Sequence, residues 1–174
     1  MIFTETALAG AFIIDIDRRE DPRGFFARSY CQREFESHGL LLTNAQCNVA
    51  FNTHAGTIRG MHWRANPEAK LVRVVRGAIL DVIIDLRPNS PTYLQHASVE
   101  LSAENHRALY VPEMFAHGFQ TLTSNSELFY QMSEFYDPTC DCAARWNDSA
   151  FEIRWPIADP IINDRDRSYP DFVA

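Results

Sequence analysis

Five consecutive residues, Arg59-Gly60-Met61-His62-Trp63, put an arginine and a histidine three positions apart in a stretch that reads as a β-strand. Side chains alternate faces along a strand, so Arg59 and His62 fall on opposite sides unless the strand bulges near Gly60. Histidine suits proton transfer near neutral pH, and a lone histidine in a strand is also compatible with a satisfied core residue. Proton transfer at carbon needs two more groups, an acid on the far side of the substrate and a donor for charge that develops on oxygen. Lys70 is the sole lysine beside fifteen arginines, which makes its compact ammonium a candidate for the second task. Tyr130 and Tyr136 share a face if Phe129 to Tyr136 is one extended strand, so one pocket could use both; an aromatic stripe in a β core is the competing account. Arg23, Arg59 and Arg165 offer forked donors to a diphosphate, or are simply solvated charges.

A metal site of the cupin kind needs two histidines spaced by one residue, a following glutamate and a distant histidine. Position 64 is arginine, and His117 alone does not complete such a set, so neither a metal nor another cofactor is expected. Cys31, Cys47, Cys140 and Cys142 lack the paired two-residue-gap spacing of a zinc site and read as free thiols.

The elements that must position these groups are mostly strands. Short alternating or wholly apolar runs bounded by turn residues recur, and no helical period persists beyond about two turns. Leu71 to Val75 and Ile79 to Leu86, around Arg76-Gly77, read as a hairpin in which Leu80, Val82, Ile84 and Leu86 share a face. Further strands are expected at Ala11 to Asp15, Gln46 to Asn52, Thr57 to Trp63, Ala97 to Leu101, Arg107 to Val111, Gly118 to Leu122 and Glu127 to Glu134. One short helix, Gln32 to His38, ends at Gly39, where glycine suits a left-handed cap. So many short strands imply an all-β sandwich or barrel, with a jelly roll the commonest closure, and the segment from Trp155 onward reads as extended chain packed on the domain.

At 174 residues the chain fits a single domain, 1–174, able to bury a core without a staple. Sixteen basic against twenty-three acidic residues give a net charge of −7, which disfavours nucleic acid or an anionic membrane as partner; a polyanionic ligand must meet local arginines. The N-terminus lacks the basic start and apolar run of a signal peptide, and the apolar runs are too short to span a bilayer, so a cytoplasmic protein is expected.

These residues, taken in order, resemble the dTDP-4-dehydrorhamnose 3,5-epimerase family over nearly the whole chain. The match runs through Asp21-Pro22-Arg23-Gly24-Phe25-Phe26, Gln46-Cys47-Asn48, Arg59 to Trp63, Lys70 to Gly77, Asp85-Leu86-Arg87 with Ser90-Pro91-Thr92-Tyr93, and Val111-Pro112 with Phe115 to Phe119. It closes with Tyr130, Tyr136, Trp146-Asn147-Asp148 and Asp164-Arg165-Asp166. The resemblance implies a cupin-like jelly-roll homodimer with strands shared between protomers, no catalytic metal, and a nucleotide-sugar substrate. It implies His62 as general base, Asp166 as the carboxylate that orients it, Lys70 near the substrate ketone and Tyr130 as proton donor. Tyr136 falls at the position that stacks on the nucleobase, and Arg23, Gln46, Asn48, Arg59, His117 and Arg165 at substrate-contacting positions. Asp141 stands where the family usually has glutamate. Arg28 replaces the usual glutamate two residues after Arg-Gly-Phe-Phe, a nucleotide-contacting position, and Arg64 replaces the glutamine after the His-aromatic pair. The implied activity is inversion at carbon 3, carbon 5 or both of a dTDP-4-keto-6-deoxy-hexose. The alternatives are a single-carbon epimerase, an epimerase on a differently based nucleotide sugar, and a catalytically silent sugar-binding module.

Overall fold

The computed structural model describes residues 1–173. In chain order the strands are β1 (Ile2–Glu5), β2 (Phe12–Asp15), β3 (Arg19–Asp21), β4 (Gly24–Phe26), β5 (Gln46–Asn52), β6 (Ile58–Arg64) and β7 (Lys70–Arg76). They continue with β8 (Ala78–Asp85), β9 (His96–Ser102), β10 (Ala108–Val111), β11 (Phe115–Thr121), β12 (Ser126–Met132) and β13 (Asp141–Ala143). Two short α-helices, α1 (Gln32–Ser37) and α2 (Asp164–Arg167), and one 3-10 turn, Pro138–Cys140, complete the set among the described residues.

A six-stranded sheet, ordered β1-β2-β10-β7-β12-β5, lies on a five-stranded sheet, ordered β13-β6-β11-β8-β9, and β3 and β4 form a separate hairpin. All named pairings are antiparallel. The jelly-roll sandwich expected from the strand spacing is thus present. Val72, Val74 and Leu128 of one sheet meet Ile79, Ile83 and Phe119 of the other in the central core. Phe35 of α1, with Leu40 and Leu42, covers part of the outer face of the six-stranded sheet, against Ile14, Leu71 and Tyr110. On the opposite side, Phe151 packs on Met61, Val82, Ile84 and Leu86, with Trp155 and Phe172 joining from the C-terminal segment. That segment therefore packs as the sequence suggested, although it also carries α2.

The expected hairpin of Leu71 to Val75 with Ile79 to Leu86 does not form. β7 pairs with β10 and β12, whereas β8 pairs with β9 and β11. Gly77 turns the chain from one sheet to the other at φ 74°, and a side chain there would strike Ser126 and Thr123. Both strands are apolar on the faces that meet across the core, and two such strands gain more by facing each other than by lying side by side. The shared face of Leu80 to Leu86 is real, and it meets the C-terminal segment. Tyr136 also departs from expectation, because β12 ends at Met132 and Tyr136 sits in the following loop.

Candidate active site

Where β5, β12 and β7 face β13, β6 and β11, the sheets part around a cavity of about 560 Å³. Eleven of the twelve expected site residues line it, so the constellation read along the chain is one site in space. The exception is Arg23, which stands between β3 and β4 with its side chain 89% exposed, paired to Asp21 at 2.6 Å. Arg28 is also absent from the cavity lining; its guanidinium is held by Glu34 of α1.

Arg59 and His62 reach the same cavity because β6 carries an extra residue. Between the His117–His62 and Phe119–Arg59 pairs, β11 advances from 117 to 119 while β6 advances from 59 to 62. One surplus residue shifts the alternation by one and brings both side chains to the inner face. Gly60 occupies the irregularity at φ 125°, so close to the neighbouring strand that a Cβ would sit 2.6 Å from the Gly118 Cα.

His62 Nε2 lies 2.9 Å from Asp166 Oδ1. Asp166 is buried, and its Oδ2 accepts from the Gly60 amide at 3.3 Å. Burial pushes the Asp166 carboxyl up, but the His62 hydrogen bond and charge, the Gly60 amide and Arg165 together hold it below the ordinary aspartate value. An ionised Asp166 fixes Nε2 as the protonated nitrogen and leaves Nδ1 as the basic one. Helix α2 supplies this aspartate from 104 residues away, with Asn163 capping the helix by accepting from the Asp166 amide at 2.6 Å.

Lys70 and Tyr130 come from β7 and β12 of the opposed sheet, where Tyr130 pairs with Val72, two residues beyond Lys70. Burial, chiefly, with the nearby Glu68 charge, raises the Tyr130 phenol above its ordinary value against the pull of Arg59. It therefore stays protonated, as a proton donor must. Lys70 Nζ stands 3.0 Å from Glu68 Oε1.

A second histidine, His117, faces His62 across the β6–β11 ladder and lies 2.7 Å from Asp81 Oδ1, whose residue is fully buried. Asp81 and Glu68 were not anticipated. The signal for Asp81 was a charge with three apolar residues on either side of it in β8.

At the mouth, Asp141 gathers three groups: Arg64 at 2.9 Å, the Tyr136 hydroxyl at 3.0 Å and Arg165 at 3.1 Å. Arg64 also donates to the Asp137 carbonyl at 2.7 Å and lies 5.0 Å from the centre of the Tyr136 ring. The cation that departs from the family pattern is thus consumed internally, as a buttress for that ring. Gln46 Oε1 accepts from the Tyr136 amide at 2.8 Å, and Asn48 Nδ2 points to Met132 Sδ. Arg59 Nε donates to Asn52 Oδ1 at 2.8 Å.

A jelly roll whose facing sheets present an aspartate-backed histidine, an ammonium and a phenol to one cavity has the parts of an acid–base isomerase. A model of the dTDP-4-dehydrorhamnose 3,5-epimerase family matches residues 5–173. The protein of that name from Methanothermobacter thermautotrophicus is 40% identical over 171 residues, spanning 96% of this chain and 92% of its own. The crystal structure of the Bacillus anthracis dTDP-4-dehydrorhamnose 3,5-epimerase with TDP and PPi bound superposes with TM-score 0.94 at 42% identity, covering 98% of this chain and 99% of that one. ChmJ, a 3′-monoepimerase from Streptomyces bikiniensis in complex with dTDP-quinovose, gives TM-score 0.87 at 32% identity, covering 95% and 85%. The chain belongs to the dTDP-4-dehydrorhamnose 3,5-epimerase family, and it is an epimerase of nucleotide-linked keto-sugars.

Proposed function

We propose that this epimerase inverts carbons 3 and 5 of a dTDP-4-keto-6-deoxy-hexose through an enolate. His62 Nδ1 takes the proton beside the ketone, and Asp166 stabilises the imidazolium that forms. Lys70 donates to the ketone oxygen as charge develops, an interaction typically worth ~3 kcal/mol. Tyr130 delivers a proton to the opposite face of the ring. The observation that carries this reading is the placement of His62 on one sheet and Tyr130 on the facing sheet of a single cavity. A proton removed on one side and returned on the other is an inversion.

The nucleobase stacks on Tyr136, whose ring has Arg64 nearby and is 54% exposed. Arg59 and Arg165 bind the diphosphate, with Gln46, Asn48 and His117 contacting the substrate and Asp141 holding Tyr136 and Arg165 in place. Arg23 enters this site from a second copy of the chain. Its removal from its own cavity favours that arrangement, as does a bare apolar area on the outer face of the six-stranded sheet, where Val49, Phe51 and Val75 are exposed. The four free cysteines suit a reducing compartment, in keeping with a cytoplasmic enzyme.

A panel of 4-keto nucleotide sugars in deuterated water tests the reading. Deuterium entering carbons 3 and 5 with change of configuration is expected. Deuterium at carbon 3 alone would support the second reading, a single-carbon epimerase, to which the likeness to ChmJ points. No exchange with any base or sugar would sink both.

A further inference from the structure

Glu68 is the one cavity-lining carboxylate that the proposed mechanism leaves unused. It precedes Lys70 by two residues, in the turn between β6 and β7, and its side chain is 2% exposed against 15% for Lys70. Apart from the 3.0 Å approach of the Lys70 ammonium, neither carboxylate oxygen has a hydrogen-bond partner among the described residues. A buried carboxylate without donors is costly unless a cation stands beside it. The dependence is mutual, because a Lys70 that lost its proton would leave Glu68 charged, buried and unpaired. Glu68 and Tyr130 line the same cavity, and the Glu68 charge opposes ionisation of the phenol.

The protonation of Lys70 decides which chemistry follows at a ketone. A neutral amine adds its lone pair to the carbonyl carbon; the resulting carbinolamine loses water, and a C=N bond replaces the C=O bond. An ammonium has no lone pair and acts only as a donor to the carbonyl oxygen. We propose that Glu68 is a positioning residue that holds Lys70 as an ammonium against the substrate ketone, committing the site to enolate rather than imine chemistry. This inference rests on the placement of the ketone beside Lys70 in the function proposed above.

Because Lys70 is the only lysine in the chain, amine chemistry reads it through a single peptide. Acetylation of Lys70 at fixed neutral pH, followed by peptide mass, is compared in wild type, Glu68→Gln and Glu68→Asp. Glu68→Gln is expected to react at least ~10-fold faster, since the unit charge that pairs with the ammonium at 3.0 Å is gone. Glu68→Asp keeps the charge and should stay within ~3-fold of wild type, a rescue that loss of packing alone would not give. With a 4-keto nucleotide sugar and cyanoborohydride, Glu68→Gln should gain a sugar adduct on the Lys70 peptide that wild type lacks. An unchanged acetylation rate in a Glu68→Gln protein that melts like wild type would overturn the proposal. Equal acceleration in Glu68→Asp would do the same. If wild type exchanges no 4-keto sugar at all, the epimerase reading fails, while acetylation still reports on the pair.

Discussion

His62 and Tyr130 stand on facing walls of one cavity; if they divide removal and return of a proton as proposed, their single variants should separate the two events. His62→Asn removes the base, so exchange and inversion both fall by at least ~100-fold, the usual size of a general acid–base effect. Tyr130→Phe keeps His62, Asp166 and Lys70 but deletes the far-side donor. An enolate still forms, His62 returns a solvent-equilibrated proton to the original face, and deuterium enters with configuration retained. Exchange should therefore exceed inversion; equal losses, with folding and affinity intact, would move the donor role elsewhere. Arg64 makes a different kind of prediction, because it touches the Tyr136 ring and Asp141 rather than the reacting carbons. Arg64→Gln should raise KM by about 5-fold or more with kcat nearly unchanged, as expected when binding common to ground and transition states is lost. A fall in kcat at constant KM would refute the buttress role. At this scale the sequence was informative where residue type is tied to chemistry: a histidine, a sole lysine and a tyrosine were singled out before any geometry. Asp166 was legible only through the family resemblance, since no local signal links positions 104 residues apart. Glu68 was silent because one glutamate in a proline-containing turn looks solvated until its burial is seen.

The bulge in β6 is the element on which the site turns. Gly60→Ala places a methyl group against the Gly118 backbone at φ 125° and disturbs the amide that holds Asp166. A left-handed penalty plus overpacking predicts a loss of about 3 kcal/mol and a collapse of activity, both measurable by denaturant unfolding and proton exchange. Wild-type values for both would show that the close approach relaxes freely. The possibility of a bulge at Gly60 was visible in the sequence, whereas the partner of each strand was not. β7 and β8 have the alternation and turn of a hairpin, and only the competition for two inner faces sends them to different sheets. The Asp85-Leu86-Arg87 and Ser90-Pro91-Thr92 match also changes meaning once folded, because it is a clasp at the end of β8. Asp85 accepts from Arg87 Nη2 at 2.7 Å, Thr92 Oγ1 at 2.6 Å and Ser90 Oγ. Burial pushes its carboxyl up, but these donors and the Arg87 amide outweigh it and hold it far below the ordinary aspartate value. A depressed folded-state value stabilises the fold above the unfolded aspartate pKa of about 4, and that contribution is lost as pH falls below it. Asp85→Asn should accordingly cost about 3 kcal/mol at pH 7, with the gap to wild type narrowing below about pH 4. A gap that is independent of pH would remove the clasp from the account of acid stability.

For the molecule as a whole, one cavity gathers every expected site residue except Arg23, and the question is which cavity that arginine serves. Its hairpin, β3–β4, pairs only with itself, and Phe26 beside it is 74% exposed. A projecting hairpin with exposed aromatics and an exposed guanidinium suits insertion into a second copy. The bare area around Val49 and Phe51, on the edge strand β5, offers the same copy an apolar seat. A dimer of this kind makes each active site a joint product of two chains, which light scattering and complementation can test together. Wild type should show twice the monomer mass at micromolar concentration, and Phe51→Asp should shift it toward monomer and lower activity in parallel. Arg23→Ala and His62→Asn homodimers should each be weak. After exchange of subunits, however, a mixed dimer pairs the intact His62 cavity of one chain with the intact Arg23 hairpin of the other. In an equal mixture half the dimers are mixed, and one of their two sites is whole, so activity should recover to about a quarter of wild type. Recovery requires the arginine to act across the interface. A monomer mass, or a freely exchanging mixture no more active than its components, would show that Arg23 does not complete its partner's site.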